Sequence, residues 1–293
     1  YTNIGEANNR GIEMNLEWRD KTESGFEYNV GVNMSTIRNR MTKLNGGTPI
    51  SDGPFRNGSM YLTYTNEGMP IGAFWGYKTD GLIQTQEQLN AVKRADFQPN
   101  AELGDVLFVD TNGDGKLDSS DRCMIGNPIP DIIYGINMGM AWKGFDLNLQ
   151  FGGTIGNQIF NAMRYYTYFP NDITNKDRAL MNYWTPNNTN TDIPRLTATD
   201  VNDNDRFSDM YVENGTYFRL RNAQLGYTLP ASLTQRIKLQ KVRFYVSGQN
   251  LFTISSYSGM DPEVGQSSSL SRGIDYGIYP QNISFTGGIN VTF

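Results

Sequence analysis

The sequence predicts an all-β chain whose antiparallel strands cross a membrane as part of a β-barrel. Three observations support this prediction. Apolar and polar residues alternate over runs of about ten residues, the span that a tilted membrane-crossing strand needs. The connections between these runs alternate between short and very long, as in barrels with short periplasmic turns and long extracellular loops. Aromatic residues gather at the short-turn end of the strands, which is typical of a membrane interface.

The alternation defines the strands in chain order. It is clearest around the turn Lys143-Gly144, where Met138 and Leu147 belong to one face and Asn137 and Asn148 to the other. Strands are predicted at 11–20, 26–38, 132–142, 145–155, 216–229, 242–254 and 281–293. The strand at 216–229 breaks the alternation, because Phe218 and Leu225 would face opposite sides. A β-bulge near residues 222–224 would restore the register and keep Arg219 and Arg221 on the polar face.

The connections divide into two groups. Those at 21–25 and 143–144 are short, the one at 230–241 is of medium length, and three long loops are predicted at 39–131, 156–215 and 255–280. Loops of this length without strong helix signals are uncommon in compact soluble domains. The aromatic residues at the short-turn end are Trp18, Phe26, Trp142, Phe145, Tyr227, Phe244 and Phe293. A soluble β-sandwich remains the alternative fold, although its strands are usually shorter.

Composition excludes several function classes. The 293-residue chain has a formal charge of −5, which argues against nucleic-acid binding. It contains no histidine, the commonest general base and zinc ligand, and its single cysteine, Cys123, has no intrachain disulfide partner. Asp203 and Asp205 could form a glycosidase pair, but acidic residues are ordinary in such a turn. The sequence therefore predicts that the chain is not an enzyme.

The segment "DTNGDGKLDSSDR" (110–122) has the ligand spacing of an EF-hand calcium loop. Oxygen-bearing side chains fall at positions 1, 3, 5, 9 and 12, and Gly115 occupies position 6. The predicted calcium ligands are Asp110, Asn112, Asp114, the Lys116 carbonyl, Asp118 and Asp121. The flanks do not read as helices, so we expect a structural Ca²⁺ loop within a β protein. The alternative is a solvated acidic turn.

The long loops also contain aromatic residues suited to stacking on sugar rings. These candidate substrate-binding residues are Trp75, Tyr77, Tyr165, Tyr166, Tyr168 and Trp184. The alternative is that these rings pack the loops together or contact a partner. On the polar face of the strands, Asp146, Asn148, Gln150, Arg219 and Arg221 could line an import path, or simply be solvated as is normal inside a barrel.

Several segments, in the same order and spacing, resemble the SusC/RagA-type TonB-dependent transporters of the outer membrane. They are "NRGIEMNLEW", the block from "DTNGDGKLDSSDR" through "IGNPIPD" to "WKGFDL", "GTYFRLRNAQLGYTLP", "VRFYVSGQNLFTIS" and "YSGMDPEVG". The resemblance implies a bacterial outer-membrane barrel of 22 strands with an N-terminal plug. It further implies that residues 1–293 form the C-terminal part of that barrel, with the plug and the earlier strands absent and the outermost strands unpaired.

The resemblance also implies a function and partners. The expected function is TonB-dependent import of oligosaccharides or oligopeptides, powered by the TonB–ExbB–ExbD complex and assisted by a SusD-like surface lipoprotein that acts as a lid. Other expected partners are the remainder of the barrel and the lipid of the outer membrane, with no nucleic acid. Two alternatives remain open: a soluble calcium-dependent carbohydrate-binding β-sandwich, and a siderophore-type receptor.

Overall fold

The computed structural model describes residues 5–169, 174–265 and 268–293. The start of the predicted domain, and short stretches of the loops predicted at 156–215 and 255–280, lie outside these ranges. The strands are β1 Gly5–Arg10, β2 Glu13–Lys21, β3 Glu27–Thr36, β4 Arg38–Leu44, β5 Ile50–Phe55, β6 Met60–Thr65, β7 Ala73–Gly76, β8 Thr79–Leu82, β9 Val106–Phe108, β10 Cys123–Gly126, β11 Ile132–Trp142, β12 Phe145–Ile155, β13 Gln158–Asn161, β14 Val212–Asn214, β15 Tyr217–Thr228, β16 Lys241–Ser255, β17 Ile274–Asp275 and β18 Ser284–Thr292.

Helices are short and lie in the connections. They are α1 Gln86–Arg94, α2 Ala162–Tyr168 and α3 Ala231–Thr234, with 3₁₀ turns at Ser119–Asp121, Arg178–Asn182, Asp209–Tyr211 and Gln235–Ile237. Helix α1 begins with a capping box between Thr85 and Gln88, a signal that the sequence analysis missed. Among the described residues, no helix has both the length and the apolar character to span a bilayer.

One seven-stranded sheet organises the chain. Its order is β18-β16-β15-β12-β11-β3-β2, and every neighbouring pair is antiparallel. These are the seven strands that the alternation predicts, joined in that order as an up-and-down sheet. The turn between β11 and β12 has positive φ at both Lys143 (48°) and Gly144 (87°), which matches the twist of a two-residue hairpin.

The register places like residues together on each face. Met138 lies opposite Leu149 on β12 and Val30 on β3, whereas the next residue, Asn137, lies opposite Gln150 and Gly31. The strand with the broken alternation contains the predicted bulge, one residue earlier than expected. Phe151 pairs with Leu220 and Gln150 with Asn222, so Arg221 is the extra residue.

The apolar face of the sheet is uncovered. Phe285 is 78% exposed, Val246 is 60% exposed and Leu16 is 58% exposed, and Met138 and Leu147 are only partly buried. In the part of the chain that the structure describes, no second sheet pairs across this face; the smaller sheets are built from β1 and the long connections. A soluble sandwich would bury these residues in its core, so the sandwich alternative fails.

The polar face is packed by long side chains that lie over glycines. A Cβ atom at Gly139 would collide with the Asn29 amide on β3, and one at Gly226 would lie 2.4 Å from the Arg243 guanidinium on β16. Glycine at these positions leaves room for the neighbouring polar side chain, since the Arg243 guanidinium must reach Asp146 at 2.9 Å. On the face predicted to line the lumen, ordered polar side chains therefore occupy the space beside these glycines.

The assignment of the two faces predicts that an introduced charge destabilises the barrel more on the apolar face than on the polar face. Leu149→Arg places a guanidinium on the apolar face and should destabilise the barrel by about 2–4 kcal/mol near the bilayer midplane. Asn148→Arg, one residue away on the polar face, should cost less than about 1 kcal/mol because the lumen accepts charge. Urea unfolding of the complete protein in lipid vesicles measures both. Equal losses from the two variants would contradict the assignment of faces.

Candidate functional site

The three long loops fold into one body with a shared apolar core. The first contributes Phe55, Leu62 and Phe74, the second Phe160, Tyr165, Phe207 and Tyr211, and the third Ile274. The rings meet edge to face: the Phe55 and Tyr165 centroids are 4.9 Å apart, and those of Phe160 and Phe207 are 4.8 Å apart. The loops thus form a structured region at one end of the sheet, which we call the loop domain.

A buried ion pair ties the third loop to the sheet. Arg219 of β15 is only 2% exposed and Asp261 is 7% exposed. The Arg219 guanidinium donates to Asp261 at 2.5 Å, to Glu263 at 2.8 Å and to Thr253 of β16 at 2.8 Å. Asp261 also accepts the backbone N–H groups of Glu263 and Gln281. This anchor uses the "DPE" segment of the third loop, and it makes Arg219 a structural residue.

Two of the clefts in the described part of the loop domain border predicted aromatic residues and are open to solvent. The Trp75 cleft has a volume of about 360 Å³, and its lining includes Tyr64, Trp75, Tyr77, Arg122 and Arg206. The Tyr64 and Trp75 rings are stacked with centroids 4.6 Å apart. The Arg122 guanidinium donates to the Trp75 carbonyl at 3.1 Å and to the Tyr61 carbonyl at 3.3 Å, so it joins β6 and β7 beside the stacked rings. The volume is in the range of small-ligand sites.

The Arg56 cleft is larger, about 910 Å³, and more polar. Tyr165 and Tyr166 line it together with Arg56, whose guanidinium bonds to the Tyr165 hydroxyl at 3.0 Å and to Asp205 at 2.6 Å. Burial raises the pKa of the Tyr165 hydroxyl, so this group stays protonated at neutral pH. Asp203 pairs with Arg206 at 3.0 Å. Asp203 and Asp205 are thus engaged with separate arginines, as structural turn residues are.

The six candidate aromatic residues fall into different environments. Tyr165 and Trp184 are buried at 2% and 6% exposure, and the Trp184 indole N–H bonds to Gln84 at 2.8 Å. Trp75, Tyr77, Tyr166 and Tyr168 are partly exposed. Trp75 and Tyr77 share the Trp75 cleft, whereas Tyr166 lines the Arg56 cleft. Sequence reasoning missed Tyr64, Arg122 and Arg56, since only the strand pairing shows that they border clefts.

The acidic loop is held by hydrogen bonds from its own backbone. Asp110 accepts from the N–H groups of Gly113 and Gly115, and Asp121, which is fully buried, accepts from those of Thr111 and Asp118. The Gly115 N–H holds the pKa of Asp110 below its usual value. Over the described ranges, no three acidic, cysteine or histidine side chains are grouped to hold a metal.

The chain is 37% identical, over 99% of its length, to the TonB-dependent receptor P3 of Formosa agariphila, of which it covers 29%. Over 99% of its length it is 27% identical to the TonB-dependent receptor SusC of Bacteroides thetaiotaomicron, and it covers 27% of that protein. No protein-family model matches the chain.

Solved structures show similarity to the same kind of protein. The RagAB peptide transporter superimposes with a TM-score of 0.75 at 24% identity, covering 99% of this chain and 29% of that one. The RagAB peptide importer in its closed-closed state gives a TM-score of 0.74 at 25% identity over the whole chain and 30% of that chain. The resemblance to SusC/RagA-type TonB-dependent transporters is confirmed. The chain thus has the fold of part of a transporter barrel, which belongs to the bacterial outer membrane.

This result has two further consequences. The matched proteins are receptors and transporters, in agreement with the prediction that the chain is not an enzyme. The chain spans only 27–31% of the length of the curated relatives it matches. The activity, substrates and partners of the whole protein are therefore matters for a proposal.

The Arg219 anchor predicts a local loss of stability. Asp261→Ala leaves the buried Arg219 charge with Glu263 as its remaining ion-pair partner, which should cost up to about 3–5 kcal/mol. Glu17→Ala removes the exposed pair between Glu17 and Arg19 and should cost less than about 1 kcal/mol. Urea unfolding of the complete barrel and limited proteolysis of the loop at 255–280 measure the effect. Equal stability and protease resistance in both variants would contradict a role for the anchor.

Proposed function

We propose that the complete protein is a TonB-dependent outer-membrane importer of oligosaccharides or oligopeptides. The observation that carries the proposal is the fold itself: a sheet with one exposed apolar face and one polar face, beneath a structured loop domain with open clefts. This arrangement suits a membrane wall with a ligand-capturing end. The similarity to receptors and transporters of the SusC and RagAB type supports the same conclusion.

The proposed partners follow from the same comparisons and from the sheet. Strands β2 and β18 form its edges, and exposed edge strands in a bilayer require pairing with further strands of the same barrel. The energy source would be the TonB–ExbB–ExbD complex, which acts through parts of the protein beyond this chain. A SusD-like surface lipoprotein would cover the loop domain. The RagAB structures concern a peptide transporter, which favours the inclusion of oligopeptides among the substrates.

The Trp75 cleft is the best candidate for substrate contact among the described residues. Its stacked Tyr64 and Trp75 rings offer a flat apolar surface, and Arg122 and Ser119 supply polar groups nearby. Sugar rings and peptide side chains both bind such surfaces by stacking combined with hydrogen bonds. In the Arg56 cleft, Tyr166 offers a second ring beside a more polar lining.

Removal of the Trp75 ring should weaken substrate capture. Trp75→Ala should raise the half-saturating substrate concentration for uptake about tenfold, which corresponds to about 1.4 kcal/mol of binding free energy. Tyr279→Ala, which removes a ring that is 79% exposed and outside the Trp75 cleft, is the matched control and should change it little. Uptake of labelled oligosaccharides and oligopeptides into cells measures both variants.

Two results would count against the proposal. If deletion of the whole protein left uptake of both substrate classes intact, the importer function would be wrong. If uptake depended on the protein but Trp75→Ala and Tyr279→Ala behaved alike, only the assignment of the Trp75 cleft would fail. Copurification of a surface lipoprotein with the complete barrel distinguishes the SusD-assisted importer from the siderophore-type receptor.

We also propose that the loop at 110–121 binds a structural Ca²⁺ ion, on the strength of its ligand spacing. Binding requires Asp110 and Asp121 to exchange backbone hydrogen bonds for the metal, so the affinity should be modest. The loop leads directly into Arg122 and β10, and an ion there would stiffen one wall of the Trp75 cleft.

The calcium proposal predicts a metal-dependent stability. After dialysis against chelator, added Ca²⁺ should raise the melting temperature of the complete protein, since a ligand of the native state stabilises it by mass action. Asp114→Ala should abolish the rise, whereas Asp80→Ala, outside the loop, should keep it. Differential scanning calorimetry in detergent measures the shift. An identical rise in the wild-type protein and in Asp114→Ala would contradict the site.

A further inference from the structure

The connection between β15 and β16 differs from the other two at its end of the sheet. It spans residues 229–240 and is folded: α3 leads into a 3₁₀ turn, and Lys238 ends it in the left-handed conformation, with φ at 58°. Backbone hydrogen bonds fix it at both sides, from the Leu229 N–H to the Val242 carbonyl and from the Gln240 N–H to the Thr292 carbonyl, each 2.9 Å. We call this segment the β15–β16 connection.

Burial shows which side of the sheet the connection covers. Val242 has the parity of the apolar face, since it lies opposite Val291 and two residues before Phe244. Phe244 and Val291 are both 43% exposed, but Val242 is only 6% exposed. Helix α3 contacts β16, the strand that begins one residue before Val242, so we assign the cover over Val242 to the β15–β16 connection. The β15–β16 connection therefore lies on the outer, lipid-facing side of the barrel.

The level in the membrane follows from the neighbouring rings. Trp142, Phe145 and Phe244, all between 43% and 54% exposed, lie at the same end of the apolar face. Lys143 places its ammonium group 4.5 Å from the centroid of the Trp142 ring. Aromatic rings and lysines in this combination mark the headgroup level of a bilayer. The β15–β16 connection thus sits where lipid phosphates are found.

The chemistry of the connection is basic and apolar. Leu233 is 50% exposed, and Arg236 follows it by three residues, which places both on one side of the helical turn. Lys238 is also exposed. The sequence contains no acidic residue between Glu213 and Asp261, whereas the connections near residues 22 and 143 have Glu23 and Asp146 close by. Among the ion pairs of the described residues, none uses Arg236 or Lys238.

We propose that the β15–β16 connection binds the phosphate of an anionic phospholipid in the periplasmic leaflet. Arg236 and Lys238 contact the headgroup phosphate, and Leu233 enters the boundary between headgroups and acyl chains. This is the binding mode of interfacial segments, which combine buried apolar area with attraction to anionic lipid. Lys241 is not part of the site, because it shares the parity of Arg243, which faces the lumen and bonds to Asp146.

Lipid titration of the complete protein tests the proposal. Phosphatidylglycerol or phosphatidylcholine is added to the protein in detergent, and bound lipid is counted by native mass spectrometry. The wild-type protein should prefer phosphatidylglycerol. The double variant Arg236→Gln/Lys238→Gln should lose affinity for it by about fivefold for each cation removed. Lys93→Gln/Arg94→Gln removes the same charge from exposed positions in the last turn of α1, in the loop domain, and should leave the affinity unchanged.

Each other outcome has a defined meaning. A wild-type protein without preference for phosphatidylglycerol would overturn the proposal, as would equal losses in the two double variants. An unchanged affinity in Arg236→Gln/Lys238→Gln would do the same, provided that heat-dependent gel migration shows a folded barrel. If millimolar inorganic phosphate displaced the bound phosphatidylglycerol, the site would bind a free anion rather than a lipid. Leu233→Ser should also lower the affinity for phosphatidylglycerol, because it removes the apolar side chain that enters the boundary between headgroups and acyl chains.

Discussion

The structure depends on one constraint: every strand of the main sheet must satisfy its backbone hydrogen bonds while presenting an apolar side chain outward at every second residue. In a bilayer no water replaces a missing backbone partner, so strand pairing and alternation have to hold together along each strand. The pairing of Met138 with Leu149 and Val30 shows how the antiparallel register brings apolar residues side by side on one face. The alternation of β15 is interrupted at Arg221, where a bulge restores the register. The paired strand β16 is irregular at the same level and has Asn250 in the left-handed conformation.

The same constraint explains why the remaining polar sequence folds where it does. The long connections cannot enter the hydrocarbon, so they assemble at one end of the sheet around their own core of Phe55, Phe160 and Phe207. Buried charge appears at the junction, where Arg219 and Asp261 join the third loop to the wall. Burial alone would raise the pKa of Asp261, but the N–H groups of Gln281 and Glu263 and the Arg219 guanidinium hold it below its usual value. The anchor therefore contributes fully at neutral pH and is lost as the pH falls through that lowered pKa.

Much of the membrane-spanning part could be predicted from the sequence, because a period of two residues is a local signal. The strands and the separation of an apolar from a polar face both follow from it. The loop domain could not be predicted in the same way. Tyr165 and Trp184 look like exposed binding residues in sequence, yet contacts with distant segments bury them. The spacing in the acidic loop is also local, but it does not determine whether its carboxylates meet a metal or the backbone. Tyr64 and Arg122 gain their positions beside Trp75 only through the pairing of β6, β7 and β10.

The central claim is that the apolar face of the main sheet contacts lipid. The most direct measurement is oxygen and water accessibility of nitroxide labels placed one at a time at residues 145–151 of the complete protein in lipid vesicles, with Cys123 replaced by serine. We expect accessibility to lipid-dissolved oxygen to peak at Phe145, Leu147, Leu149 and Phe151, and accessibility to a water-soluble relaxation agent to peak at the residues between them. A uniform profile, or low oxygen accessibility at Leu147 and Leu149, would contradict the account.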